Sequence, residues 1–316
     1  MRIKRLRSRR EKNNNQGESA AALPRRKRRL KYIAVLPSFI TLMNGVCGFF
    51  SIIFASRGQD LSWSLSAVRD INMTSFSMAG YLIILAMVMD MLDGRVARLT
   101  RTTSSFGGQL DSLSDAISFG VAPAFLMLKL VESHLDGINS GFSMYSALIN
   151  RGIFFSAILF AMCALIRLAR FNVENEEDEE AHMNFAGLPS PAAAGVVVSL
   201  VIFHQYFVSQ VNSRASFILE NLEIITSLSL PLVTLLTGIL MVSRIRYPHL
   251  PNWLFRGKKS LPVFLAIFAS GLFIVWNIQL AMVFGFCGFA LYGFCRWIFI
   301  SLFRKRQTLP DILADK

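Results

Sequence analysis

Thiols and imidazoles are scarce in this chain of 316 residues, which has four cysteines and four histidines. Cys47, Cys163, Cys287 and Cys295 all lie in apolar stretches, and none has metal-ligand spacing such as CxxC. Neither a disulfide framework nor a sulfur-bound metal is expected; free thiols among apolar residues are. His134, His182, His204 and His249 show no pairing along the sequence, so none is assigned to metal. Charge is thin as well: 17% of residues are charged and 53% are hydrophobic, with 20 Asp and Glu against 33 Lys and Arg. The apolar residues gather into stretches near the roughly 20 residues that cross a bilayer. That clustering argues against one or two soluble domains. No internal repeat of useful length occurs.

The net charge of +13 is concentrated at one end, with thirteen of the 33 bases in residues 1–32. A basic arm directly before a spanning helix reads as a topology determinant that also touches anionic lipid. Nucleic acid is not expected as a partner. The runs MRIKRLRSRR and RRKRR lack the apolar core and small-residue cleavage site of a signal peptide before Pro37. The arm is therefore expected to stay attached and largely disordered.

Eight spanning helices are predicted, near 33–56, 78–99, 108–131, 145–169, 188–209, 222–243, 261–278 and 281–301. The division that follows is a basic arm (1–32), a transmembrane core (33–243), a C-terminal transmembrane hairpin (244–303) and a tail (304–316). Orientation follows from the bases. Arg95, Arg98, Arg101, Arg167, Arg170, Arg244, Arg246 and the terminal Arg304, Lys305 and Arg306 fall on the arm's side, which is expected to be cytosolic. The opposite loops hold few, such as Arg57, Arg69 and Arg214. The acidic run at 174–180, ENEEDEE, reads as a solvated surface.

The informative stretch is MDMLDGRVARLTRTTSSFGGQLDSLSDAISFG, residues 89–120. Asp90 and Asp93 are three apart, Asp111 and Asp115 four apart, so each pair shares a helix face. A link with Gly107 and Gly108 reverses the chain and brings both pairs to one depth near the cytosolic surface. Ionised carboxylates are costly in membrane helices, and so close together they repel. Hard divalent cations resolve both problems, because Mg²⁺ and Mn²⁺ prefer oxygen ligands. Two such ions suit phosphoryl transfer, neutralising a diphosphate and stabilising attacking and leaving oxygens. Arg98, two turns after Asp90, adds a fixed positive charge for a phosphate. The competing class is an ion-coupled transporter with an acidic cluster. Small residues interleaved at Gly94 and Ala97 favour a site that a bulky ligand approaches closely.

The pattern Asp-x2-Asp-Gly-x2-Ala-Arg-x8-Gly-x3-Asp-x3-Asp is complete, as Asp90, Asp93, Gly94, Ala97, Arg98, Gly107, Asp111 and Asp115. In these residues the chain resembles the CDP-alcohol phosphatidyltransferases. The resemblance implies an all-α polytopic membrane fold with a six-helix core, here with about two additional C-terminal helices, in a homodimer. It implies Mg²⁺ or Mn²⁺, two ions per site, held by Asp90, Asp93, Asp111 and Asp115, with Asp115 also the general base. It places Gly94, Ala97, Arg98 and Ser104 at the CDP headgroup. It also implies a multi-pass protein, in the inner membrane if bacterial, with both termini and the site cytosolic.

Other segments bear on the acceptor. LDSLSDAISFGVAPAF (110–125), LPSFITLMNGVCGFFSI (36–52), RLARFN (167–172) and GLPSPAAAG (187–195) resemble the serine-using branch of the family. The implied substrates are CDP-diacylglycerol and L-serine, with Asn44 at the nucleotide end. Ser38 departs from the Asn common at that position in the branch. A serine site needs a cation for the carboxylate, and Arg167 and Arg170 end the fourth predicted span at the right depth. Ser190, between Pro189 and Pro191, either caps the next helix or contacts the amino acid. Glycerol 3-phosphate or inositol phosphate would want further bases, for which Arg95 and Arg101 are candidates.

Overall fold

Lipid leaves backbone N–H and C=O groups no water to bond, so a spanning stretch satisfies itself as a helix. The computed structural model describes residues 25–58, 63–64, 72–100, 105–138, 143–177, 187–210, 216–245 and 277–307. In chain order these form α1 (Arg25–Ser56), β1 (Trp63–Ser64), β2 (Asn72–Met73), α2 (Ser75–Thr100) and α3 (Ser105–Asp115). A π turn (Ala116–Val121) then leads into α4 (Ala122–Ile138), α5 (Ser143–Glu177), α6 (Ser190–Gln210), α7 (Ser216–Val242) and α8 (Ile278–Gln307). The strands pair as a minimal antiparallel hairpin, Trp63 opposite Met73. Among the described residues, seven helical stretches are long and apolar enough to cross a membrane, from Pro37–Ser56 to Ile278–Phe299. The chain is a multi-pass integral membrane protein. Residues 261–276 of the span expected at 261–278 lie outside the described residues, as do residues 1–24 of the arm and 308–316 of the tail.

The first helix begins at Arg25 rather than near 33. Lys and Arg are good helix formers, so the basic run that closes the arm extends the helix. Pro37 sits inside it; the Thr41 hydroxyl donates to the Pro37 carbonyl at 3.0 Å, part of the local adjustment that lets membrane helices carry proline.

At the centre stands α6, apolar on every side and buried almost continuously from Ala193 to Ile202. It packs against α2, α4, α7 and α8. Phe76, Ile83, Phe119, Leu126, Leu130 and Phe160 fill the space around it. By contrast α8 is peripheral: 11% of its most apolar window is buried, against 61% for that of α6. Its Phe286 lies over Gly195, where any Cβ would collide with the ring. Outward-facing Phe49, Phe50, Leu232 and Phe284 meet lipid.

Two departures from the expected helices shape the site. The stretch expected to run unbroken over 108–131 contains the π turn, directly after Asp115. The turn lies in close contact with α1: Gly45 faces Ser114 and Gly48 faces Ser118, and a Cβ at Gly48 would lie 2.7 Å from the Ser118 Cα. Ser118 Oγ donates to the Asn44 carbonyl at 2.9 Å, tying the turn to α1. Such insertions are enriched at functional sites. The entry to α6 is equally constrained. The Gly187 N–H bonds Ile245 O at 2.8 Å and the Leu188 N–H bonds Leu240 O at 3.0 Å, fastening it to the end of α7. Gly187 has φ +93°, and a side chain there would strike the Met241 carbonyl.

The histidines correct the expectation that they are unpaired. His134, near the end of α4, and His204, in the second half of α6, lie against each other with ring centroids 4.8 Å apart and planes inclined at 52°, both buried. Helices α4 and α6 both lead away from the aspartates, so the pair sits at the far side of the bundle. Packing of the two helices, invisible in a separation of 70 positions, brings them together. His182 and His249 lie outside the described residues.

Candidate active site

The site is built where the second half of α2 faces α3. Asp90 and Asp93 come from α2, Asp111 and Asp115 from α3. One carboxylate oxygen each from Asp90, Asp93 and Asp111 falls in a group whose members are all within 4.8 Å of one another. Asp93 and Asp115 are buried, Asp90 and Asp111 half-buried. All four carboxylates lie within range of each other's charge. At an effective dielectric constant of about 20, two unit charges about 5 Å apart repel by about 3 kcal/mol, so three together are strongly unfavourable. Asp93 stands beside Thr41 of α1 and the Gly94 amide.

These residues fit a hard divalent cation. The donor atoms are carboxylate oxygens, and Asp93 Oδ2 and Asp111 Oδ1 are buried without any hydrogen-bond partner. Buried acceptors left unsatisfied are rare and want an explanation, which a cation between them supplies. Asp115 stands slightly apart from the three. Its Oδ1 accepts a 2.9 Å hydrogen bond from Asn44 Nδ2.

Asn44, expected at the nucleotide end, is thus fully buried with its amide turned to Asp115. Gly94 is exposed, with open space where a Cβ would project. Ala97 and Arg98 continue α2 toward its end, their side chains outside the description, and Ser104 and Arg101 lie outside the described residues. Arg95 is exposed.

On the neighbouring side, α5 and α6 bring together two of the three residues expected to hold the acceptor. Arg167 Nη1 donates to Ser190 Oγ at 2.9 Å, while Arg167 Nε is buried without a partner. Ser190 is buried and opens α6. Its hydroxyl, with two lone pairs and one proton, accepts from Arg167 and still has a proton to give. Arg167 is close enough to Asp115 for their charges to attract. Arg170, three residues on, is exposed.

Sequence reasoning missed Ser112, whose hydroxyl lies 3.0 Å from both Gly108 O and Asn172 Oδ1. One proton serves one acceptor at a time, and the contact to Asn172 fastens the aspartate helix α3 to the end of α5. The only available signal was a polar residue between Asp111 and Asp115 and an Asn closing RLARFN. Neither names the other.

The model of a family described as CDP-alcohol phosphatidyltransferase matches residues 34–229. A protein of Helicobacter pylori named CDP-diacylglycerol–serine O-phosphatidyltransferase is 35% identical, over 87% of this chain and 97% of the relative. One of the same name from Methanocaldococcus jannaschii is 32% identical, over 85% and 97%. An archaetidylserine synthase of Methanothermobacter thermautotrophicus is 30% identical over 68% of this chain and 70% of its own length.

Proposed function

The chain belongs to the CDP-alcohol phosphatidyltransferase family, and from that premise we propose that it transfers the phosphatidyl group of CDP-diacylglycerol to L-serine. The products are phosphatidylserine and CMP. The observation that carries the reaction is the group of Asp90, Asp93 and Asp111 oxygens with Asp115 beside it. Family membership also disfavours the ion-coupled transporter.

Asp90, Asp93 and Asp111 would hold Mg²⁺ or Mn²⁺, with Asp115 as a further ligand. When bound, the ions neutralise diphosphate charge and acidify a nearby hydroxyl. The open face at Gly94 lets the diphosphate approach α2, with Ala97, Arg98 and Ser104 continuing the nucleotide site. Asp115 takes the proton of the serine hydroxyl. The hydroxyl oxygen forms a bond to the β-phosphorus, and the bond from that phosphorus to the bridging oxygen breaks, releasing CMP. Arg167 supplies the cation for the serine carboxylate, with Ser190 presenting its hydroxyl alongside and Arg170 at the outer edge. The same reading takes the working unit as a homodimer in lipid. In this reading both termini and the site face the cytosol, at the inner membrane if the source is bacterial; the distribution of bases supports that orientation.

The test is CMP release from purified protein with CDP-diacylglycerol, Mg²⁺ or Mn²⁺, and a panel of serine, glycerol 3-phosphate and inositol phosphate. Serine-dependent release is expected. Release with a phosphorylated alcohol alone would replace the acceptor, and no release with any alcohol would sink the enzyme reading.

Arg167→Ala is expected to raise the KM for serine by about tenfold or more, the worth of a charge-assisted hydrogen bond. The KM for CDP-diacylglycerol should stay within about twofold, as a steady-state titration of each substrate would show. An unchanged serine KM removes Arg167 from the acceptor site.

A further inference from the structure

We propose that Asn44 is a positioning residue for Asp115: its side-chain amide holds one carboxylate oxygen so that the other faces the acceptor hydroxyl. This rests on the reaction proposed above and deepens it. The two residues are 71 apart in sequence and joined at 2.9 Å, Nδ2 to Oδ1. The orientation of the amide is chemically determined, because turning it over would set two oxygens against each other. The bond from Asn44 engages Oδ1, and the second carboxylate oxygen, Oδ2, keeps its lone pairs for another proton donor. One oxygen is therefore anchored and the other left for chemistry.

The backbone around the contact is held on both sides. The carbonyl of Asn44 accepts from Ser118 Oγ at 2.9 Å, one turn beyond Asp115. Gly45 lies against Ser114, the residue before Asp115, where a Cβ would be 3.2 Å from its Oγ. Asn44 therefore meets the start of the π turn through both its main chain and its side chain. A carboxylate on a helix without such an anchor rotates about χ1 and χ2; two flanking contacts and a charge-assisted hydrogen bond remove that freedom. Preorganisation of this kind is what a proton-accepting group needs, since the proton must lie within hydrogen-bond reach.

A packing role explains the residue less well. Asn44 Oδ1 is buried with no partner, an energetic penalty that an apolar side chain of similar volume would avoid. A nucleotide contact also fits poorly, because the side chain is fully buried and its donor already engaged.

The three roles separate kinetically. Asn44→Ala is expected to lower kcat about 10- to 100-fold, leaving the KM for CDP-diacylglycerol and the calorimetric affinity for CMP within about twofold. In an Asp115→Ala background, Asn44→Ala should lower the residual rate by no more than about twofold, because it acts through the missing carboxylate. Weaker CMP binding with kcat retained would reassign Asn44 to the nucleotide. A full additional loss in the double variant would make its role structural. If Asn44→Ala fails to fold, Asn44→Leu, close in volume and without a donor, is judged on the same criteria; failure of both to fold overturns the proposal. A wild type that releases no CMP with any alcohol would sink the reaction, and this inference with it. An active wild type with an equally active Asn44→Ala would sink the inference alone.

Discussion

Asp93→Asn should lower CMP release by on the order of 10³-fold or more, while leaving the protein folded. Losing an outer-shell partner typically costs about 10- to 100-fold; Asp93 is at the centre, with Oδ2 buried and unpartnered and an oxygen in the group of three. The amide keeps shape and volume but supplies no charge. Stability gives a second, opposite readout. In metal-free buffer the substitution removes one of four carboxylates that repel one another when ionised, so the variant should melt higher than the wild type. Adding Mg²⁺ or Mn²⁺ should reverse the order. A ligand bound only to the folded state, at about a hundred times its Kd, stabilises by about 2.7 kcal/mol, and only the wild type would gain that in full. Melting curves of both proteins with chelator and with metal decide it. Equal metal shifts would place the ion elsewhere.

The second large effect is expected at Gly48. A Cβ there would lie 2.7 Å from the Cα of Ser118 and 3.0 Å from its Cβ, so the obstacle includes backbone that cannot swing aside. Gly48→Ala must push α1 off the π turn. Overpacking of this kind costs about 1–3 kcal/mol, and a fall in Tm of about 2–5 °C is expected. Separation of the helices also lengthens the Asn44–Asp115 hydrogen bond, so kcat should fall in the molecules that remain folded. Gly94→Ala is the contrast: nothing lies within 4 Å of its Cβ position, and Tm should not move. Melting temperatures for the two variants, measured side by side in one detergent, test the assignment. A Gly48→Ala protein as stable as the wild type would mean that α1 is not pressed against the turn.

The two glycines were not equally legible in the sequence. Gly94 was legible through its place beside Asp93 in a spaced motif. Gly48 acquires its meaning from a helix that begins at residue 105. The same holds for Asn44: the sequence suggested polar chemistry at that position, and the structure turns its amide toward Asp115. Ser112 with Asn172, 60 residues apart, and Arg167 with Ser190, 23 apart, are contacts of the same kind.

The sequence alone determined that the chain is a helical membrane protein and that four of its aspartates fall in two pairs, each on one helix face. Both properties are local: hydropathy accumulates over some twenty neighbouring residues, and spacings of three and four put carboxylates on one helix face. Only the tertiary structure decided how those aspartates divide. One carboxylate oxygen each from Asp90, Asp93 and Asp111 lies within 4.8 Å of the others, and Asp115 accepts a hydrogen bond from a residue of the first helix. It likewise decided that the helix carrying Asp115 passes into a π turn, that a half-buried arginine meets Ser190, and that two histidines touch at the far side. The physical reason is common to all of these. Hydrogen bonds and close packing act over a few ångströms of space, and the partners they join are set by the way whole helices dock.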